Sequence, residues 1–230
     1  MKQFERTSLL IGEENIQKLN NSNVIVFGVG GVGSYVVEAL VRSGIGNLSI
    51  VDFDIVDETN INRQIIALHS TIGKKKVEVT KERIIDINPN INLEVFNTFI
   101  SPDTINTFDF SKYDYVVDAI DNVTGKLLII QKAIEANVPI ICSLGTANKL
   151  DPSKLILTDI SKTHTCPLAK VVRTKLRQFG INHLDVLFSS EEPIKTNSNT
   201  LGSMPYVPSV GGLLIASHII KNLIKKIRDL

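Results

Sequence analysis

Up to about residue 150, apolar positions alternate between two rhythms. Short β-branched runs bounded by glycine, proline or aspartate predict strands over 24–27, 48–51, 93–96, 115–117 and 139–143. Between them Val36, Val37, Leu40 and Val41 recur at helical spacing, broken at Gly44 and Gly46. Residues 76–87 read as a helix stopped by Asn88-Pro89, and residues 124–136 as another. Strands alternating with amphipathic helices argue for an α/β, Rossmann-like, mainly parallel sheet with helices on both faces. Residues 1–150 form that domain. Residues 151–230 are expected to continue it as a smaller C-terminal extension of strands and helices, less regular in pattern. There, 155–158 and 185–188 read as strands, 191–203 as a polar, turn-rich mobile loop, and 211–227 as a final helix. There is no internal repeat or low-complexity tract.

Composition narrows the class. The chain has 230 residues, 43% apolar and 21% charged, as in a globular protein. A formal net charge of +1 gives no global attraction for polyanions, so nucleic-acid binding requires a local patch. The two cysteines, Cys142 and Cys166, form no disulfide framework and no CxxC, which fits a reducing, cytoplasmic setting. Residues 1–6 are charged, and no signal peptide is expected. The apolar segment 207–220 is short and glycine-rich; it reads as a buried helix or dimer face, with peripheral membrane association left open.

Gly28-Val29-Gly30-Gly31-Val32-Gly33 matches GxGxxG between a strand and a helix, the context that makes the motif informative. Gly28 permits a tight turn, Gly30 lets a phosphate approach the backbone, and Gly33 lets helix and strand pack closely. The helix N-terminus adds free N–H groups. Asp52, ending the next strand, is placed to bind ribose hydroxyls. A tight turn without ligand is the bland alternative. These features alone fit NAD and ATP equally.

Asp52-Phe53-Asp54 is followed by Asn60-Ile61-Asn62-Arg63-Gln64 and Gly73-Lys74-Lys75-Lys76. A triphosphate needs such cations: arginine forks onto phosphate oxygens and lysine neutralises them as a point charge. Asn60 is placed to orient a nucleotide. Asp121, in Asp118-Ala119-Ile120-Asp121-Asn122, follows a predicted strand and suits Mg²⁺, which takes few carboxylates alongside phosphate. Each residue also has a plain structural role available: lysines 74–76 as a solvated helix start, Asp118 as a turn cap, Arg63 as a partner of Asp54.

Taken together, GVGGVGS at 28–34, DFD at 52–54, TNINRQ at 59–64, GKKK at 73–76 and DAIDN at 118–122 resemble the superfamily of ubiquitin-activating enzymes and the adenylyltransferases of thiamine and molybdopterin biosynthesis. The resemblance implies ATP-dependent adenylation of a carboxylate. It implies a nucleotide site of Gly28, Gly30, Gly31, Gly33, Asp52, Asp54, Asn60, Arg63, Lys76, Asp118 and Asn122, with Mg²⁺ on Asp121. Arg6, Arg63, Lys76 and Asp121 are the implied catalytic set, with Arg6 reaching the ATP site of a second copy in a homodimer. Zinc is not expected, since two cysteines cannot make the Cys₄ site many members carry. A monovalent cation is a further candidate ligand.

The second half is similar to a narrower group, the tRNA threonylcarbamoyladenosine dehydratases, through PLAKVVR at 167–173, FSSEEP at 188–193, GSM at 202–204 and VPSV at 207–210. That resemblance implies a modified tRNA as substrate, with a sulfur-relay or cysteine desulfurase partner as a candidate. Lys170, Arg173 and Arg177 share one face of a helical wheel and make a candidate tRNA-binding stripe, opposite Leu168, Val171, Val172, Leu176 and Phe179. Lys221, Lys225, Lys226 and Arg228 form a second basic cluster. Cys166 departs from the group's pattern and, beside His164, is a candidate reactive thiol; Cys142 is expected to be buried and inert. The rival readings are adenylation of a ubiquitin-like sulfur carrier, a non-catalytic nucleotide-binding scaffold and, more remotely, a dehydrogenase.

Overall fold

A computed structural model of the chain describes residues 2–198 and 200–224. Two short helices, α1 (Glu5–Ile11) and α2 (Glu13–Asn21), precede β1 (Asn23–Phe27). There follow α3 (Gly33–Ser43), β2 (Asn47–Val51), α4 (Lys76–Ile87), β3 (Asn92–Phe96), β4 (Tyr115–Asp118), α5 (Val123–Glu135) and β5 (Ile140–Ser143). The remainder is β6 (Leu155–Asp159), α6 (Pro167–Gln178), β7 (Asp185–Ser189) and α7 (Tyr206–Leu223). One seven-stranded sheet runs β3-β2-β1-β4-β5-β7-β6, parallel except for the edge strand β6.

Strand β1 is sandwiched. Val24 and Val26 face one core, and Ile25 and Phe27 the other, all with no exposed surface. Apolar runs of this kind are what a parallel sheet covered on both faces requires. The chain leaves β1 toward β2 and β3 on one side and returns to β4 on the other, so the strand order reverses between β1 and β4. The carboxyl ends of strands diverge at such a point and leave a crevice.

The structure departs from the periodicity at both ends. Helix α1 buries none of its residues fully, so no apolar rhythm announces it; α2 buries only Ile16 and Leu19. Helix α7 begins at Tyr206, five residues earlier than the expected 211, because Pro208 lies in its first turn, where a missing N–H costs nothing. A β-carbon on Gly212 would fall 2.5 Å from the Val32 carbonyl oxygen, so glycine lets α7 press onto the start of α3. The expected helix tail at 225–227, with Lys225, Lys226 and Arg228 of the basic cluster, lies outside the described residues. No helix among the described residues is long and apolar enough to cross a membrane.

Helices α3 and α4 are tied by charge. Glu38 accepts from Arg83 Nε at 2.6 Å and Nη2 at 2.9 Å, and from Arg42 Nε at 2.7 Å. Burial pushes the Glu38 carboxyl up, but the hydrogen bonds and charges of the two arginines outweigh that and hold it below its usual value. A lowered acid contributes stability above its unfolded pKa and loses it as pH falls through the folded one. Glu38→Gln is therefore expected to lower unfolding stability by about 1–2 kcal/mol at neutral pH, discounted for the half-exposed arginines. The gap should close below the ordinary carboxyl value of 4.5; urea melts at pH 7 and pH 3.5 check both the size and the sign.

Candidate nucleotide site

A cleft of about 720 Å³ opens at the carboxyl ends of five strands. It is lined by the turn after β1, by Asp52, Phe53 and Asp54 after β2, and by residues 98–100 after β3. Residues 119–122 after β4 and 143–147 after β5 complete the walls. Its size falls in the range of small-molecule sites.

The glycine turn is forced by contacts. Gly28 has φ +89°, and a β-carbon on it would meet the Ala119 carbonyl oxygen at 2.8 Å. A β-carbon on Gly33 would fall 1.8 Å from the Gly28 carbonyl oxygen. Gly31 is also snug, against Pro208 and Arg63. Gly30 is different: a β-carbon there would meet only Gln64 Nε2, at 3.7 Å, so its bareness serves the cleft rather than the fold.

The acid after β2 is held by backbone. Asp52 accepts from Val29 N and from Asp54 N, at 2.8 and 2.9 Å. Burial pushes its carboxyl up; the charge of Lys76 and the two N–H groups offset this only in part. A desolvated acceptor at this place suits hydroxyl donors such as those of a ribose. Of the three candidate lysines, Lys74 and Lys75 face solvent, while Lys76 is buried and donates to Asp54 Oδ2 at 2.7 Å on the cleft wall. Arg63 lines the cleft with Nη1 on Thr59 O and Asn62 Oδ1; it does not pair with Asp54, which Lys76 has taken. Asn60 lines the cleft too, its Oδ1 accepting from Asp57 N in a one-turn capping box.

Four expectations change. Asp118 does not reach the cleft: its side chain is fully buried, with Oδ2 accepting from Lys126 Nζ at 3.1 Å and from the Cys142 thiol at 2.8 Å. Burial pulls the Lys126 ammonium down, but the negative charge of Asp118 overcomes this and holds it above the ordinary value. Burial and the same carboxylate push the Cys142 thiol far up, so it stays protonated. Removing one member of a buried ion pair costs about 3–5 kcal/mol, which makes this pair part of the framework. Asn122 lines the cleft while capping α5, its Oδ1 accepting from Gly125 N at 2.8 Å. Cys166 is 4% exposed and its sulfur caps α6 by accepting from Ala169 N, so the thiol faces the core, not a reagent. On α6 only Ala169, Val172 and Leu176 are buried; Val171 and Phe179 face solvent. Lys170 and Arg177 are exposed, whereas Arg173 donates to the carbonyl and hydroxyl of Thr163.

Asp121 is exposed on the cleft wall, and Arg6, on α1, does not line the cleft. No group of three or more His, Cys, Asp or Glu among the described residues is set to hold a metal.

Some site residues gained a role only from the fold. Gln64 is 6% exposed, lines the cleft, and has no partner for Oε1. Phe53 and Phe99, half exposed and 4.8 Å apart edge to face, form an aromatic corner from two different strand ends. Of the loop 191–203, expected to be polar and mobile, the described residues on either side of 199 fold back on the cleft. Asn148 and Gly202 exchange hydrogen bonds, Lys149 donates to the Glu191 carbonyl, and Leu201 and Ser203 line the wall.

A doubly wound sheet with a glycine turn, a desolvated acid after β2 and a buried lysine at its switch point defines a nucleotide-binding α/β protein. Residues 4–229 match the ThiF family model, and the chain belongs to that family. It is 43% identical to the tRNA threonylcarbamoyladenosine dehydratase of Bacillus subtilis, over 99% of this chain and 96% of that protein. The Escherichia coli protein of the same name is 32% identical over 98% and 94%. Crystal structures of that E. coli dehydratase superpose with a TM-score of 0.94 in complex with AMP and 0.92 in complex with ATP. The AMP complex covers 100% of this chain and 96% of the other, at 34% identity.

The contrast between two glycines tests the turn. Gly33→Ala is expected to destabilise the protein by about 3 kcal/mol or more through overpacking against backbone that cannot yield. Gly30→Ala should leave Tm within about 2 °C of wild type, because its methyl meets no backbone, yet weaken ATP binding by about tenfold or more by occupying the phosphate's place. Thermal melts with calorimetric ATP titration separate the two.

Proposed function

We propose that this chain is an ATP-dependent tRNA threonylcarbamoyladenosine dehydratase. The observation that carries the reading is full-length likeness to dehydratases, one crystallised with AMP and ATP, combined with a cleft whose charges suit a nucleotide. Asp52 accepts the ribose hydroxyls, and the Phe53–Phe99 corner gives the adenine a flat apolar wall. Asn60, Arg63 and Lys76 hold the phosphates. Asp121 would hold Mg²⁺; one carboxylate at a phosphate site is a donor set that ion accepts, and when bound it adds charge neutralisation.

The threonyl carboxylate attacks the α-phosphorus and pyrophosphate leaves. The ureido nitrogen then attacks the acyl carbon, closing a ring as AMP departs, with net loss of one water from the nucleoside. Proximity within one nucleoside makes the closure fast once the carboxyl carries AMP, so no acyl-carrying cysteine is needed. That agrees with two buried thiols. Lys170 and Arg177 offer phosphate contacts to the tRNA; Arg173 is committed to Thr163.

The protein acts as a homodimer with Arg6 entering the partner's cleft. Support comes from α1, which in one copy buries no residue fully and leaves Leu9 85% and Leu10 83% exposed beside Arg6. A cytoplasmic location and a sulfur-relay partner belong to the same reading.

AMP release from ATP is expected with tRNA bearing threonylcarbamoyladenosine and not with unmodified tRNA, with one water lost from the nucleoside by mass. No stimulation by modified tRNA rejects the reading. Arg63→Ala should reduce kcat by about 100-fold or more, as for loss of a group that stabilises developing charge. Arg6→Ala and Lys76→Ala should each be inactive alone. Mixed and reassembled, they should recover about a quarter of wild-type activity, because half the dimers then hold one intact site. No recovery would mean that Arg6 acts within its own chain.

A further inference from the structure

Lys126 does not line the cleft, yet its ammonium is fully buried, an arrangement that is retained only when every donor finds a partner. Its contacts come from two cleft walls. Nζ donates to Asp118 Oδ2 at 3.1 Å and to the Ser143 carbonyl oxygen at 2.7 Å, and lies 3.5 Å from Cys142 Sγ. Asp118 ends β4 and opens the segment that carries Asp121; its Oδ1 also accepts from Ile120 N at 3.3 Å. Ser143 ends the neighbouring strand β5, which pairs directly with β4, and opens the segment 143–147 on the adjoining stretch of wall. The next turn is packed to match: a β-carbon on Gly125 would fall 2.7 Å from Ile120 Cδ1.

We infer that Lys126 is a positioning residue for the adenylation reaction, its ammonium stapling the Asp121 segment to the adjoining 143–147 segment where the paired strands β4 and β5 end, and so fixing how these two stretches of wall are set against the reacting carboxylate and α-phosphate. The inference rests on the reading of the cleft under Proposed function. Stability alone does not explain the pair, because apolar residues of similar volume commonly replace a buried ion pair without loss. What an apolar pair lacks is a directional bond of set length between two backbone segments. Cys142 adds weaker contacts: its neutral thiol lies 2.8 Å from Asp118 Oδ2 and 3.7 Å from the Ser143 carbonyl oxygen, both of which the Lys126 ammonium already holds.

The test compares Lys126→Met, Asp118→Leu/Lys126→Met and Cys142→Ala in the full chain, reading thermal melts, ATP affinity and AMP-release kinetics with the modified tRNA. The single Lys126→Met is expected to be poorly stable, since it strands the Asp118 carboxylate. The neutral double variant should recover the melt and bind ATP within about threefold of wild type, while kcat falls about 100-fold, the cost of a displacement near 1 Å. Cys142→Ala should keep kcat within about threefold. A folded double variant with wild-type kcat overturns the inference, as does one whose only defect is a raised KM for ATP. Should the double variant not fold, Asp118→Val/Lys126→Leu, equally unable to make a directional bond, carries the same expectations and the same overturning results. A wild type silent with modified tRNA rejects the parent reading, and this inference with it; failure confined to the variants does not touch the parent reading.

Discussion

The turn after β1 lies in backbone contact with itself and with the segment after β4. Gly33 stands over the Gly28 carbonyl, and Gly28 stands over Ala119. A methyl group at either place has no room. Because β1 and β4 are neighbours across the strand-order reversal, this closeness decides where the crevice lies and how narrow its floor is. It also aims the first N–H groups of α3 at the same spot. Pro208 and Gly212 extend the constraint to α7, which packs onto the start of α3 and carries a residue of the cleft wall.

Around that floor the charges are held rather than free. Lys76 leans on Asp54, Lys126 on Asp118, and the helix that carries Lys76 is fastened to α3 through Glu38 and Arg83. Groups already oriented and desolvated before a nucleotide arrives need little reorganisation when negative charge develops. The cost is that Lys76, Lys126 and Asp118 sit where water is scarce, while Asp54 keeps 45% of its side-chain surface. Each is affordable only because its partner lies within about 3 Å. Asp52 is the exception: its carboxyl is desolvated and held by backbone N–H groups, which leaves it in want of hydroxyl donors.

Much of this was legible along the chain. Strands 24–27 and 115–117 read as continuous apolar runs because the centre of the sheet is covered on both faces, and GxGxxG declared itself by following one of them; Ser49 and Glu94 interrupt the runs of the outer strands 48–51 and 93–96. Helix α4 was legible to the residue, since Asn88-Pro89 ends it. Helix α1 was not, because a helix that buries no residue fully within its own chain has no apolar period to display. Phe99 was silent, and Gln64 showed its motif but no role, for another reason: one is an ordinary aromatic and the other an ordinary amide until the fold brings them to one cavity.

The sequence by itself determined the alternation of strand and helix, the place of the glycine turn and the inventory of acids and cations near it, because these follow from side-chain period and backbone sterics acting locally. Only the tertiary structure decided which members of that inventory serve the cleft. Lysines 74, 75 and 76 are chemically equal in sequence, and the entry of the chain into α4 turns Lys76 alone inward. Asp118 and Asp121 are three residues apart in one motif, and the end of β4 buries the first beneath Lys126 while the loop presents the second to the cleft. On α6, Arg173 is drawn to Thr163 and leaves Lys170 and Arg177 outward. In each case the choice depends on which face of an element meets its neighbour, a property of packing between segments distant in sequence.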